Sequence, residues 1–258
     1  MYHITFIGLV WILLVLDIHA QKLEWQDMPT LVFDLEKYDS KTIYSYHLFL
    51  KPELLNESQF EPFESEAKPL DIYNYWEKRG EEDYQILLTK TAYAVTQSVS
   101  FFTPELLADQ KFIASTMPEA ELSGEDSVYR VAVGFGSPDI DYSLKFFEPD
   151  EFNRVHPKLK DYFEKYDHFD KVPTLISVQH NYRYGRVLFQ RTSKMSISMT
   201  RYYDLGGKQT MVLNYTLNYI YNIPPEFIGG KEFLLEKIKE GIMALVRETK
   251  NVCEKSNQ

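Results

Sequence analysis

Apolar and polar positions alternate most regularly between Met211 and Asn222. Met211, Leu213, Tyr215, Leu217, Tyr219 and Tyr221 are apolar or aromatic, and Asn214, Thr216, Asn218 and Asn222 fall between them. Only Val212 and Ile220 depart from the rule, so the segment predicts a strand with one buried and one wetter face. Pro224-Pro225 ends it, because proline lacks an amide donor and fixes its own φ. After Gly229-Gly230 the period changes. Leu234, Leu235, Ile238, Ile242, Leu245 and Val246 recur at three- and four-residue steps opposite Glu232, Glu236, Lys239, Glu240 and Arg247, which predicts a long amphipathic helix.

The same alternation runs upstream. Met195, Ile197 and Met199 alternate with Ser196, Ser198 and Thr200, and the glycine-bearing Asp204-Leu205-Gly206-Gly207-Lys208 predicts a hairpin turn into the last strand. Strands are also predicted over Thr174 to Tyr182 and Arg186 to Gln190, around a turn at Tyr184-Gly185. Together these segments make an antiparallel meander whose length favours a curved sheet.

The first half is less regular. Thr42 to Leu50 predicts a strand, the acidic, proline-bearing Glu53 to Pro69 a loop, and Asp71 to Arg79 a short helix ended by Gly80. Tyr84 to Phe102, rich in β-branched and aromatic residues, predicts one long strand or two. Pro104 to Ser115 predicts a helix. Val128 to Phe135 and Asp141 to Phe147 predict a hairpin about Gly136-Ser137-Pro138, and Phe152, Val155, Leu159, Phe163 and Tyr166 keep helical spacing across a break at Pro157.

Composition narrows the function classes. At 258 residues, 44% hydrophobic and 26% charged, the chain can bury a full core, and no repeat or low-complexity tract divides it. The net charge of −10 and the scattered basic residues, Lys22 and Lys37 among them, argue against a nucleic-acid partner. The apolar run Ile4 to Leu16 is shorter than the roughly 20 residues of a membrane-spanning helix. Followed by Ala20, it reads as a signal-peptide core with cleavage after residue 20, which places the mature protein in the periplasm or outside the cell and leaves no transmembrane anchor. The n-region is poor in positive charge, with only the α-amino group and His3. Cys253 is the single cysteine, so an exported chain must hold its fold without an internal disulfide; Cys253 is read as a tail residue. Asn56-Glu57-Ser58 and Asn214-Tyr215-Thr216 are sequons for glycosylation if the source is eukaryotic.

Catalytic and metal motifs are missing. His47, His156, His168 and His180 lack the short spacings of a zinc helix or finger. There is no GxSxG, and Cys253 in a charged tail is a poor nucleophile. Gly134-Phe135-Gly136-Ser137-Pro138 lacks the third glycine and the following helix of a phosphate loop and is read as a turn. Glu81-Glu82-Asp83 and Asp139/Asp141 are read as solvated loop charges. No cofactor or metal is expected.

The order of long strand, short helical section, hairpin, helix, meander, proline corner and final helix resembles the START-like, helix-grip superfamily. The likeness is carried mainly by RTSKMSISMTRYYDLGGKQTMVLNYTLNYIYNIPPEFIGGKEFLLEKIKEGIMALVRE, from Arg191 to Glu248. The chain departs from that pattern in the helix at Phe152 to Tyr166 and in a long N-terminal extension. The resemblance implies an α+β fold with a curved antiparallel sheet packed on a long C-terminal helix, and an apolar cavity for lipids, sterols or other hydrophobic molecules. Four parts are expected: a signal peptide at 1–20, an extension packed on the core at 21–82, the START-like domain at 83–252 and a tail at 253–258.

Met195, Ile197, Met199, Leu213, Tyr215 and Leu217 are expected to face Ile238 and Ile242 of the helix and line the ligand space. The same residues would equally fill an ordinary helix-on-sheet core. The function expected is an exported, non-enzymatic carrier of a hydrophobic small molecule. The alternatives are an exported structural or protein-interaction domain with no cavity, or an enzyme with a loop-borne site.

Overall fold

The computed structural model describes residues 38–50, 85–117, 120–122, 128–131, 139–155, 171–184, 193–220 and 226–256. In chain order they form β1 (Ile43–Leu50), β2 (Gln85–Val95), a 3₁₀ turn (Val99–Phe101), α1 (Pro104–Ala108), α2 (Gln110–Thr116), β3 (Ala120–Leu122), β4 (Val128–Val131) and β5 (Asp139–Phe147). Then come α3 (Pro149–Val155), β6 (Leu175–Tyr184), β7 (Ser193–Gly206), β8 (Gln209–Ile220), a second 3₁₀ turn (Glu226–Ile228) and α4 (Gly230–Lys255).

The described strands form one eight-stranded sheet in the order β1-β2-β8-β7-β6-β5-β4-β3, and each neighbouring pair is antiparallel. The α+β fold class of the sequence analysis is therefore present: an antiparallel meander, β5 to β8, with a long C-terminal helix packed on it. β2 pairs with β8, so the last strand is central and its residues sit where the final helix crosses. β1 is the edge strand of this same sheet, which brings residues 43–50 of the expected extension into the core sheet.

Local chemistry sets the ends of these elements. β2 does not run on to Phe102; Ser98 caps the 3₁₀ turn with its side chain accepting from the Ser100 amide. The helix expected over Pro104 to Ser115 is two helices. Asp109 ends α1 and caps α2, its carboxylate accepting from the Lys111 amide at 2.8 Å. The β7–β8 turn is Gly207-Lys208, both at positive φ (59° and 62°), with Gly206 opposite Gln209 as a two-residue hairpin requires. The segments expected at 1–20, 53–69, 71–79, 156–166 and 186–190 lie outside the described residues.

α4 is longer than expected and continues through Cys253 to Lys255. The reading of Cys253 as a tail residue is thus corrected. Val246, Thr249 and Cys253 are buried and follow one another at helical spacing, so the inward stripe persists to the end of the helix.

Candidate functional site

The face of the sheet covered by α4 follows from the apolar clusters. Tyr93, Val95, Leu175, Tyr202 and Val212 of the sheet form one cluster with Val246 and Cys253 of α4, with Ile242 packed against it. Leu87 and Ile220 form a second, against which Leu234, Leu235 and Ile238 lie. Strand pleating then places every second residue between these contacts on the same inner face. On β8 these are Val212, Asn214, Thr216, Asn218 and Ile220; the register with β2 is unbroken over that stretch, and that with β7 is unbroken from Val212 to Tyr219 and shifts before Ile220. Val212 and Ile220, the two residues that break the alternation of β8, are those that seat the helix.

The residues expected to line the ligand space are divided by this register. Ile238 and Ile242 lie on the inner side, on the helix. Ile197, Met199, Leu213, Tyr215 and Leu217 occupy the opposite, outer face of the strands, and the backbone of Met195 is in register with Tyr219. The expectation that these strand residues meet Ile238 and Ile242 is therefore corrected, and the physical reason is the pleat: one residue of register separates the two faces.

Between the two apolar clusters the inner face is polar. Across β6, β7, β8 and β2 the register aligns Leu175, Tyr202, Val212 and Tyr93 as an apolar rung. Next to it lie Ser177, Thr200, Asn214 and Thr91, then Gln179, Ser198, Thr216 and Thr89. A third rung holds Asn181, Ser196 and Asn218, with Leu87 at its end. Sequence reasoning took Ser196, Ser198, Thr200, Asn214, Thr216 and Asn218 for the wet outside of the sheet. They lie instead beneath the helix.

These side chains are joined to one another. Asn214 Nδ2 donates to Ser198 Oγ at 2.7 Å and to Thr200 Oγ1 at 2.8 Å. Thr216 Oγ1 lies 2.8 Å from Asn214 Oδ1 and 3.0 Å from Ser198 Oγ. On the third rung Asn181 Nδ2 donates to Ser196 Oγ at 2.9 Å and Gln179 Nε2 to Asn181 Oδ1 at 2.9 Å. Asn214, one of the two sequon asparagines, thus commits its nitrogen to strand β7; the other, Asn56, lies outside the described residues.

Burial varies within each face. Leu213 and Tyr219 on the outer face are fully buried, as are Met211 and Tyr203, while Leu217 is half-buried. On the inner face Thr89, Thr91, Ser177, Asn181 and Ser196 are buried, and Asn214, Thr216, Asn218, Ser198, Thr200 and Gln179 are half-buried. The matching stripe of α4, Leu234, Leu235, Ile238, Ile242 and Leu245, is half-buried too, until Val246 closes against the apolar rung. A tightly packed helix would bury that stripe. α4 packs on the apolar rung at one end and on Leu87 and Ile220 at the other, and its stripe stays half-buried over the polar rungs between them.

At the apolar rung the helix is tied by hydroxyls as well as by packing. The Tyr93 and Thr249 side chains hydrogen-bond, as do those of Tyr202 and Ser177, and burial drives both phenol pKa values upward. The Cys253 thiol is pushed up to about 12 by desolvation, so it stays protonated beside them. On the outer face His180 is held down to about 3 by desolvation and is neutral. Lys90 lies there fully buried, its ammonium 5.1 Å from the centre of the Tyr215 ring. Among the described residues no cluster of His, Cys, Asp and Glu could hold a metal, and no helix is long and apolar enough to cross a membrane.

No known family model matches the chain, and no curated protein does. Among solved structures it is similar to a START superfamily protein from Mycobacterium smegmatis, with 12% identity over 65% of this chain and 97% of that one and a TM-score of 0.39. It is similar to the Zhui aromatase/cyclase from Streptomyces sp. R1128, with 12% identity over 67% of this chain and 96% of that one and a TM-score of 0.43. A norcoclaurine synthase from Thalictrum flavum matches at 11% identity over 66% of this chain and 87% of that one, with a TM-score of 0.36.

Proposed function

We propose that the chain is an exported binding protein that takes up a small, largely apolar molecule between the inner face of its sheet and α4. One observation carries this reading. At the centre of the inner face Ser198, Thr200, Asn214, Thr216 and Asn218 are half-buried, as is the helix stripe opposite them, while Thr89, Thr91, Ser177, Asn181 and Ser196 beside them are buried. Half-buried aliphatic residues facing half-buried hydroxyls and amides make a concave surface with apolar walls and a few polar groups, the usual composition of a small-molecule site. Export is supported by the apolar run Ile4–Leu16 ahead of Ala20. The role proposed is binding without chemistry.

Native mass spectrometry of the chain from Gln21 onward, purified without detergent and followed by organic extraction, tests this. A stoichiometric small-molecule adduct is expected, either as isolated or after incubation with a mixed lipid extract. A bare mass in both cases would remove the carrier function and leave an exported structural or protein-interaction domain.

A further inference from the structure

Resting on the binding site just described, we propose that its ligand is a hydroxylated or carbonyl-bearing apolar frame, such as an oxygenated ring system, and not a plain hydrocarbon chain. The juxtaposition of Thr200, Asn214, Ser198 and Thr216 at the centre of the inner face points to this. A surface selecting hydrocarbon alone would present aliphatic side chains there, because a polar group stripped of water without a partner costs more than it returns. The chain has such residues at hand. It places Leu213, Ile197 and Met199 on the outer face of the same strands and gives the inner positions hydroxyls and amides.

Hydrogen-bond counting shows what these groups still offer. An asparagine side chain has two N–H donors and one carbonyl oxygen. Asn214 spends both donors on Ser198 and Thr200 and takes the Thr216 hydroxyl at its oxygen. The amide therefore holds three hydroxyls at fixed positions, with both donors used and one lone pair of its oxygen left. Thr200 accepts one bond from Asn214 and retains its own proton; if the amide is turned over, Thr200 donates instead and retains its lone pairs. In either orientation Thr200 has capacity to spare, and Gln179 Oε1 adds an acceptor on the next rung after its nitrogen is used on Asn181. Groups that both donate and accept match a hydroxyl, which does the same. The apolar rung formed by Leu175, Tyr202, Val212 and Tyr93 on one side, and Ile238 and Ile242 above, leave the rest of the ligand to apolar contact.

The test is competition for 1-anilinonaphthalene-8-sulfonate fluorescence by two molecules of one skeleton, naphthalene and 2,3-dihydroxynaphthalene. The dihydroxy compound is expected to displace the dye at a concentration at least about tenfold lower, the effect of one to two satisfied hydrogen bonds in a partly desolvated site. Thr200→Val and Asn214→Leu, checked by circular dichroism, are each expected to erase that preference while naphthalene still displaces the dye. Should Asn214→Leu fail to fold, Thr200→Val carries the comparison alone. Equal displacement by the two compounds, displacement by neither, or a preference unchanged in Thr200→Val, would overturn the oxygenated-ligand assignment and leave the binding site standing. Failure of the dye and of both compounds to bind would instead remove the site itself.

Discussion

Asn214 on β8 holds Thr200 on β7, its side-chain nitrogen 2.8 Å from the threonine hydroxyl, on the sheet face that α4 covers. Both residues are half-buried, while Leu213 and Met199, their neighbours in the chain, are sealed on the other side. The inner face thus carries a polar, half-buried centre between the two apolar clusters on which α4 packs.

Val246 is where α4 is seated. It is buried at 1% exposure in the cluster with Tyr93, Tyr202 and Val212. Val246→Ala removes buried methyl groups and leaves a void, and is expected to cost about 2 kcal/mol in urea unfolding. Ile242→Ala removes more carbon from a half-buried position, where the residual space is already open to solvent. It is expected to cost no more than Val246→Ala, although its side chain is larger.

His180 couples stability to acid. Its folded-state pKa is held at about 3 against 6.5 for the free side chain, because desolvation penalises the charged ring. Between these values the unfolded chain binds a proton that the folded chain does not, so stability rises with pH there. The contribution is complete above about pH 6.5 and is lost as pH falls toward 3. His180→Phe is expected to flatten the pH dependence of the unfolding free energy by one proton in this window. The measurement is a set of urea titrations from pH 7 to pH 4 on both proteins.

Cys253 works in the opposite sense. With its thiol pushed up to about 12 from 9.0, the folded chain keeps a proton that the unfolded chain releases, so this contribution is present below about pH 9 and is lost as pH climbs toward 12. Tyr93 and Tyr202, both raised by burial, add to the loss above about pH 10. In the native protein at pH 8 the thiol is expected to resist a disulfide reagent that reacts at once after unfolding in guanidinium. Rapid reaction of the native protein would place Cys253 outside the helix–sheet core.

Much of the fold was legible in period and punctuation. Strand β8 is marked by its alternation, α4 by its three- and four-residue spacing, and the β7–β8 turn by Gly206-Gly207-Lys208. The face of the sheet that the helix covers was not legible from alternation alone. Alternation reports that a strand has two faces, and both faces of this sheet exclude solvent to a degree, so the polar face could be mistaken for the wet exterior. The informative positions were the exceptions. Val212 and Ile220 interrupt the polar series Asn214, Thr216 and Asn218 at its two ends, and those are the points at which α4 rests. The hydrogen bonds of Asn214 span sequence separations of 14 and 16 residues and depend on cross-strand register, which residue spacing within one strand does not contain. Cys253 was hidden by its charged neighbours Glu254 and Lys255, although Val246, Thr249 and Cys253 continue the helical stripe.

The central claim is that ligand sits on the inner face, and side-chain nuclear magnetic resonance during titration with 1-anilinonaphthalene-8-sulfonate tests it most directly. The side-chain amide signals of Asn214, Asn218 and Gln179 report the inner face, and the methyl signals of Met199 and Met211 report the outer one. Shifts of the amide signals with the methionine methyls unmoved are the predicted result. Movement of the methionine methyls with the amide signals unmoved would place the ligand on the other side of the sheet and contradict the account.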